Sequence, residues 1–116
     1  MDELNAATAK AADGDFDAAE GAVRNWDQAW AYFHGSEPDC SPFATGNRRA
    51  GNFGTVGADG ETALANEAIL AAMIEGRDAL LAEDLAGAEA AAGEVIRNVV
   101  ITYSQAAVRY LSLIHI

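Results

Sequence analysis

Apolar side chains recur through the first third of the chain with the period of an α-helix. Between residues 15 and 33 they fall every three or four positions, at Phe16, Ala19, Val23, Trp26, Trp30 and Phe33. That spacing places them along one side of a helix, for which Asp15 is a suitable N-cap. A shorter helix is predicted before Gly14, with its apolar face formed by Leu4, Ala7 and Ala11.

Two further helices are predicted in the second half of the chain. One covers residues 61–82, and its apolar face consists of Ala65, Ile69, Ala72, Gly76 and Ala79. The other begins near Asp84 and continues to Tyr110. Glycine inside a helix costs about 1 kcal/mol relative to alanine. We therefore expect Gly76 to mark a close approach between two helices.

The segment between these two pairs of helices, residues 34–60, contains both prolines and the only cysteine, Cys40. Connections in helical bundles usually take about 2–8 residues, and longer ones are often functional. Phe43 and Phe53 are predicted to anchor this segment on the helices. The predicted fold is all-α: an up-down four-helix bundle of two helical hairpins, with one long ordered loop between helices 2 and 3.

The length and charge of the chain exclude some classes of function. A chain of 116 residues forms one domain, and no apolar run approaches the roughly 18 residues of a membrane span, so no membrane insertion is expected. The 18 acidic and 7 basic residues give a net charge of −11, which argues against binding to a nucleic-acid backbone. The acidity either keeps the protein soluble or attracts cations.

Both ends of the sequence carry information about its extent. The first residues, MDELNAATAK, lack the basic and apolar regions of a signal peptide. The final LSLIHI, residues 111–116, resembles translated sequencing-adapter sequence, so we expect this tail, including His115, to be non-native. Residues 1–110 are then one helical domain, a fragment or single unit of a longer chain. With one cysteine and no convincing nucleophile–base pair, the domain is expected not to be an enzyme.

Three stretches carry a resemblance to a known family. They are AYFHG at 31–35, the CSPFAT and NRRAGNFGT sequences within 40–55, and YSQAAVRY at 103–110. Together with the sequence around them they resemble the low-iron-inducible periplasmic proteins of algae and marine microbes over most of residues 26–110. The resemblance implies a helical, periplasmic or extracellular protein of iron assimilation, with a cell-surface or membrane-bound uptake partner. The alternative is a non-catalytic helical module that binds another protein and no metal.

Several side chains suit ferric iron, a hard cation that prefers carboxylate and phenolate oxygen and accepts imidazole. The candidate ligands are Asp27 and His34 on helix 2, Glu37 and Asp39 in the loop, Glu67 on helix 3 and Tyr103 on helix 4. Asp27 and His34 are seven residues apart and share a helix face. Each candidate also has a structural interpretation: a solvated acid or a partner of Arg24 for Asp27, a helix-end cap for His34 and a core aromatic for Tyr103.

The last predicted helix carries a line of polar side chains at intervals of three or four residues, which we call the polar line. Its members are Asn98, Thr102, Gln105 and Arg109. A solvent-exposed face explains it most simply. If the line faces inward, these groups need partners, which Glu37 and Asp39 would supply. Arg48 and Arg49 suit a planar oxyanion such as carbonate beside the metal. The candidate anion-binding or loop-binding residues are thus Arg48, Arg49, Gln105 and Arg109.

Overall fold

The computed structural model describes residues 1–35 and 41–114, which form α-helices and their connections. The helices are α1 (Asp2–Ala12), α2 (Ala22–His34), α3 (Pro42–Phe53), α4 (Leu64–Leu81) and α5 (Leu85–Ile114). In these ranges the only β-type pairing is an isolated antiparallel bridge between Val56 and Ala63. The predicted all-α class and helical-bundle character are confirmed. None of the helices in this part of the chain is both long and apolar enough to cross a membrane.

The described residues hold five helices instead of four, because α3 lies inside the segment predicted to be a loop. The Ser41 Oγ accepts a hydrogen bond from the Ala44 N–H at 3.1 Å, and Pro42 occupies the first turn. Gly54 ends the helix in the left-handed conformation, with φ 71°. These are ordinary start and stop signals. The prediction gave more weight to the prolines and glycines as loop residues, and the four-helix arrangement is not confirmed.

The start of α2 also differs from the prediction. The helix begins at Ala22, and the residues before it form turns. The Asp15 Oδ1 accepts a hydrogen bond from the Asp17 N–H at 3.3 Å, and the Asp17 Oδ1 accepts one from the Ala19 N–H at 2.7 Å. Short acidic side chains that bond nearby backbone in this way compete with helix formation. The predicted start at Asp15 is therefore wrong, whereas α4 and α5 lie close to their predicted ranges.

The core lies where α1 packs on α2 and where α4 runs along α5, with α2 against α4 joining the two pairs. The predicted apolar face of α1 is confirmed, since all three of its members are buried. On α2, Val23, Trp26 and Phe33 are buried, Phe16 before it is half-buried, and Ala19 is exposed. Much of the remaining core is alanine, which allows the helices to pack closely.

The expectation for Gly76 is confirmed by its contact with Trp26. A Cβ placed at Gly76 would overlap the six-membered ring of the indole. The Trp26 Nε1–H donates a hydrogen bond to the Met73 carbonyl at 2.8 Å, one turn earlier on α4. Trp26 is only 1% exposed, so its polar N–H needs this partner. The contact fixes the separation of α2 and α4.

Only one of the two phenylalanines expected to anchor residues 34–60 does so. The Phe43 ring stands edge-on to Phe33 and to Trp30, with ring centres 6.2 and 6.3 Å apart. This geometry is favourable for aromatic pairs. Phe53, at the end of α3, is 42% exposed. The prediction is confirmed for Phe43 and wrong for Phe53.

We expect Gly76→Ala to destabilise the protein, because the added methyl group meets the Trp26 ring. Overpacking a core costs about 1–3 kcal/mol of stability. The higher helix propensity of alanine offsets about 1 kcal/mol of this cost. The control is Gly93→Ala on α5, where an added Cβ meets nothing within 4 Å and the free energy of unfolding should rise. Urea unfolding gives the free energy of unfolding of each variant. Equal changes in the two variants would contradict the assigned contact between Gly76 and Trp26.

We also expect Phe43→Ala to cost far more stability than Phe53→Ala. Phe43 is half-buried among aromatic rings, so its removal should cost about 2 kcal/mol, less than a fully buried phenylalanine. Phe53 is largely surface, and its loss should change the free energy of unfolding by less than about 0.5 kcal/mol. Thermal unfolding of the two variants compares them directly. A larger loss for Phe53→Ala would mean that α3 is seated differently.

Candidate functional site

An apolar depression among the described helices has a volume of about 250 Å³, and we refer to it as the cavity. Its lining comes from all five helices and the first residue: Met1, Glu3, Leu4, Ala29, Tyr32, Phe33, Pro42, Met73, Val95, Val99 and Tyr103. Leu4, Phe33 and Met73 belong to the buried core, so the floor is apolar. Glu3, Tyr32 and Tyr103 are the more exposed polar residues of the lining and carry oxygen atoms. We call these three residues the rim.

Helical periodicity explains how the lining is assembled. On α2, Ala29 and Phe33 are one turn apart, and Tyr32 lies beside them at the edge of the same face. On α5, Val95, Val99 and Tyr103 follow one another at intervals of four residues. The buried members of each row form the floor, and a tyrosine lies where each row reaches the surface.

The Glu3 carboxylate is oriented by a chain of hydrogen bonds between α1 and α2. The Asn25 Nδ2–H donates to Glu3 Oε2 at 2.6 Å, and the Lys10 ammonium donates to Asn25 Oδ1 at 2.7 Å. Lys10 also donates to the Glu20 carbonyl at 3.1 Å, so it reaches Glu3 only through the neutral amide. The carboxylate therefore has a held position without a direct ion pair among the described residues.

Of the predicted metal ligands within residues 1–35 and 41–114, only one lines this cavity. Tyr103 is at the rim and is 48% exposed. Asp27 lines a different depression, between α2 and α4, where its Oδ1 is 3.0 Å from the Arg77 Nε. The partner of Asp27 is thus Arg77; the guanidinium of Arg24 instead donates to the Ala19 carbonyl.

The other predicted ligands are dispersed or lie outside the described residues. His34 ends α2, with its ring centre 5.1 Å from that of Phe43, and Glu67 is exposed in the first turn of α4. Glu37 and Asp39 lie outside the described residues. Within residues 1–35 and 41–114 no three histidine, cysteine, aspartate or glutamate side chains converge on a metal position.

The polar line on α5 faces inward, the less simple of the two predicted alternatives. Thr102 and Asn98 are 1% and 7% exposed, and Gln105 and Arg109 are half-buried. The Asn98 amide donates to the Glu94 carbonyl at 2.8 Å, and the Gln105 Nε2–H donates to Thr55 Oγ1 at 3.1 Å. The partners found in the described residues are therefore backbone and a threonine, and the expected Glu37 and Asp39 lie outside them.

Amide contacts also hold α3 to α4. The Asn66 Nδ2–H atoms donate to the Phe43 carbonyl at 2.8 Å and to Asn47 Oδ1 at 2.9 Å. Asn47 Oδ1 accepts a second bond from the Ala63 N–H at 2.8 Å. Gly46 lies directly on the Asn66 side chain, where a Cβ would be crowded. This glycine is thus a packing residue of α3, not a turn.

The two adjacent arginines lie on α3. Arg48 is exposed and donates to Thr45 Oγ1 at 3.4 Å. Arg49 is half-buried, and its Nε–H is buried without a hydrogen-bond partner among the described residues. Asn66 Oδ1 and Thr102 Oγ1 are likewise buried without a hydrogen-bond partner among the described residues. Unpaired polar atoms therefore occur on α3, α4 and α5.

One carboxyl group outside the site has a clearly shifted pKa. The Thr62 hydroxyl and the backbone N–H groups of Glu61 and Thr62 donate to Asp59 in the turn before α4. These bonds hold the pKa of Asp59 below its usual value of 3.8. A lowered pKa stabilises the fold at neutral pH, and that contribution is lost as the pH falls through the lowered value. Asp59 is a turn-forming residue and no part of the cavity.

Sequence reasoning missed Glu3 and Tyr32. Glu3 belongs to the alanine-rich first helix, which carries no distinctive motif, and Tyr32 is next to the predicted apolar face of α2. The available signal for Tyr32 was its place at the edge of that face, where an amphipathic side chain suits a cavity mouth. Comparison of the chain with protein-family models, curated proteins and solved structures finds no match.

We expect Asn66→Ala to weaken the attachment of α3. The variant loses two hydrogen bonds from a fully buried amide, at a cost of about 1–3 kcal/mol. Amide hydrogen exchange should accelerate in α3 more than in α1. The control is Asn52→Ala, an exposed asparagine of α3, which should leave both stability and exchange nearly unchanged. Uniform acceleration across all helices would show that Asn66 supports the whole bundle instead.

Proposed function

We propose that this chain is an extracytoplasmic iron-assimilation domain that binds ferric iron for uptake. The observation that carries the proposal is the rim of the cavity, where Tyr103, a predicted ligand, is joined by Tyr32 and Glu3. Two phenols and a carboxylate are hard oxygen donors of the type that ferric iron prefers. The resemblance of residues 26–110 to low-iron-inducible periplasmic proteins supports the same function.

The electrostatics of the chain favour a cation at this position. The net charge of −11 attracts cations over a distance set by the ionic strength. Glu3 adds a local charge whose orientation is held by Asn25. Because protons compete with metal for carboxylate and phenolate, binding should weaken as the pH falls.

The proposal includes an accompanying anion and an uptake partner. Guanidinium groups match planar oxyanions, so Arg48 and Arg49, which lie on α3 and do not line the cavity, are proposed to hold carbonate apart from the rim. The unpartnered Nε–H of Arg49 supports this role. The cell-surface or membrane-bound uptake partner follows from the resemblance alone.

A second candidate function, a metal-free protein-interaction module, is favoured by exposed apolar side chains on α4. Leu70 and Ile74 are 43% and 55% exposed, and they border a depression of about 130 Å³ beside Trp30. Exposed apolar groups that adjoin a groove are typical of binding surfaces. This surface is separate from the rim, so the two functions are distinguishable by mutation.

Titration with ferric nitrilotriacetate tests the first function. We expect a saturable visible charge-transfer band from tyrosinate in the parent chain and its loss or strong weakening in Tyr103→Phe. Tyr110→Phe is the matched control, because Tyr110 lies on the same helix, is 63% exposed and does not line the cavity.

Further variants decide between the rim and the other predicted ligands. Glu3→Gln and Tyr32→Phe should weaken iron binding, whereas Asp27→Ala and His34→Ala should not if the rim is the site. An identical band in Tyr103→Phe and Tyr110→Phe would contradict the assignment of Tyr103. No saturable iron binding by the parent would exclude the metal function and leave the interaction module.

A further inference from the structure

We infer that a groove between α4 and α5 docks an amphipathic helix of a partner protein, with the basic end of that helix over a group of carboxylates. We call this surface the α4–α5 groove. It consists of two depressions, of about 700 and 220 Å³, along the two helices. Neither depression shares a lining residue with the cavity or with the surface that contains Leu70 and Ile74. Docking at this groove is therefore independent of iron binding at the rim.

The spacing of the lining residues places both depressions on one side of the helix pair. The two helices run along each other and are joined by the short turn at residues 82–84. Six of the lining residues of α5 are at 87, 91, 94, 98, 101 and 105, intervals of three or four residues that follow one helix face. On α4, Leu64 lies about three turns from Glu75 and about four turns from Asp78, so the three share a face. The two depressions therefore lie in line along about 20 Å, the length of four turns of a partner helix.

The end of the groove next to the turn is acidic. Four carboxylates line this depression, those of Glu75, Asp78, Asp84 and Glu94. Glu94 forms an ion pair with Arg97, which lies outside the lining. The other three carboxylates have no ion pair among the described residues. A partner without cations would have to bury these charges unpaired, which is costly, whereas lysine or arginine side chains would pair with them.

The other end of the groove is neutral and partly apolar. Leu64 and Ile101 are 52% and 43% exposed, and they lie beside the amide groups of Asn98 and Gln105. No charged side chain lines this depression in the described part of the chain. The next charged group along α5 is the half-buried Arg109, a cation, so the negative charge is confined to the other end. Burial of the two exposed apolar side chains favours an apolar surface on the partner here.

The chemistry of the groove selects a basic amphipathic helix over other occupants. The backbone N–H and C=O groups of α4 and α5 bond within the helices, so the groove offers no free edge to an extended strand. A third helix packs through its side chains alone. Nucleic acid and anionic lipid carry the same sign of charge as the acidic end. A second copy, with its net charge of −11, would add carboxylates instead of the cations that this end needs.

Fluorescence anisotropy with a synthetic helical peptide tests the inference. The probe is a labelled, terminally blocked, alanine-based helix of four turns. It carries leucines on one face of its first half and lysines on the same face of its second half. We expect saturable binding that weakens as salt is added, because salt screens exposed charges. The peptide with glutamate in place of lysine should not bind measurably. A peptide with the leucines and lysines scrambled around the helix should bind about tenfold more weakly.

Charge-matched variants test the acidic end. Glu75→Gln combined with Asp78→Asn should weaken the peptide about fivefold and reduce the dependence of its affinity on salt. Asp13→Asn combined with Glu89→Gln makes the same charge change at exposed positions outside the groove and should leave the affinity nearly unchanged. The comparison separates a docked basic end from diffuse attraction to an acidic protein.

Neighbouring apolar residues test the other end. Ile101→Ala should weaken the peptide about fivefold. Val100→Ala is the matched control, because Val100 is the preceding residue of α5 and is 57% exposed but does not line the groove. Both side chains are exposed, and circular dichroism checks that the variants remain helical. The peptide should also shift the NMR amide signals of Gly87, Ala91 and Ile101.

Four results would overturn the inference. The first two are the absence of saturable peptide binding by the parent and equal affinities of the acidic-end variant and its charge-matched control. The third is a set of NMR shifts confined to Leu70 and Ile74, which would assign docking to the other surface of α4. The fourth is a dimer of the parent in sedimentation that the peptide dissociates, which would make a second copy the occupant. Loss of iron binding together with retained peptide binding would reject only the proposed iron function.

Discussion

The contact between Trp26 and Gly76 is the constraint on which the rest of the structure depends. A buried indole fits between α2 and α4 only because position 76 has no Cβ, and its N–H is satisfied by the Met73 carbonyl. This fixes how closely the two helices approach. The next turns of α2 then place Ala29 and Phe33 near Met73, which creates the floor of the cavity. A contact that serves packing thus also shapes the candidate site.

The two halves of α5 are held to the bundle by different kinds of interaction. Its first half packs on the core through alanine and Val95, where burial of apolar surface dominates. Farther along, Thr102 is buried without a hydrogen-bond partner among the described residues, and Gln105 donates to Thr55 in the connection after α3. Buried polar contacts contribute less net stability than apolar ones but demand a specific geometry. The bond between Gln105 and Thr55 therefore specifies where the connection after α3 lies more than it stabilises the bundle.

The rim differs from the rest of the acidic surface in one physical respect. Most carboxylates of this chain are exposed, and exposed charges are screened by salt. Glu3 is partly buried and is oriented by Asn25, and two tyrosines line the same cavity. Such an arrangement acts on a ligand through position as well as charge. The proposed ligand, a hard metal ion, is a cation for that reason.

The sequence alone determined the helical class, the buried face of α1, the buried positions Val23, Trp26 and Phe33 of α2 and the role of Gly76, since these depend on the 3.6-residue period and on the size of one side chain. It did not reveal α3, whose serine–proline start and glycine end were outweighed by the interior glycines. Nor did it reveal the rim. Periodicity reports which side of each helix is buried, but not which sides of different helices meet. Glu3, Tyr32 and Tyr103 come together only through the packing of α1, α2 and α5, so that juxtaposition belongs to the tertiary structure.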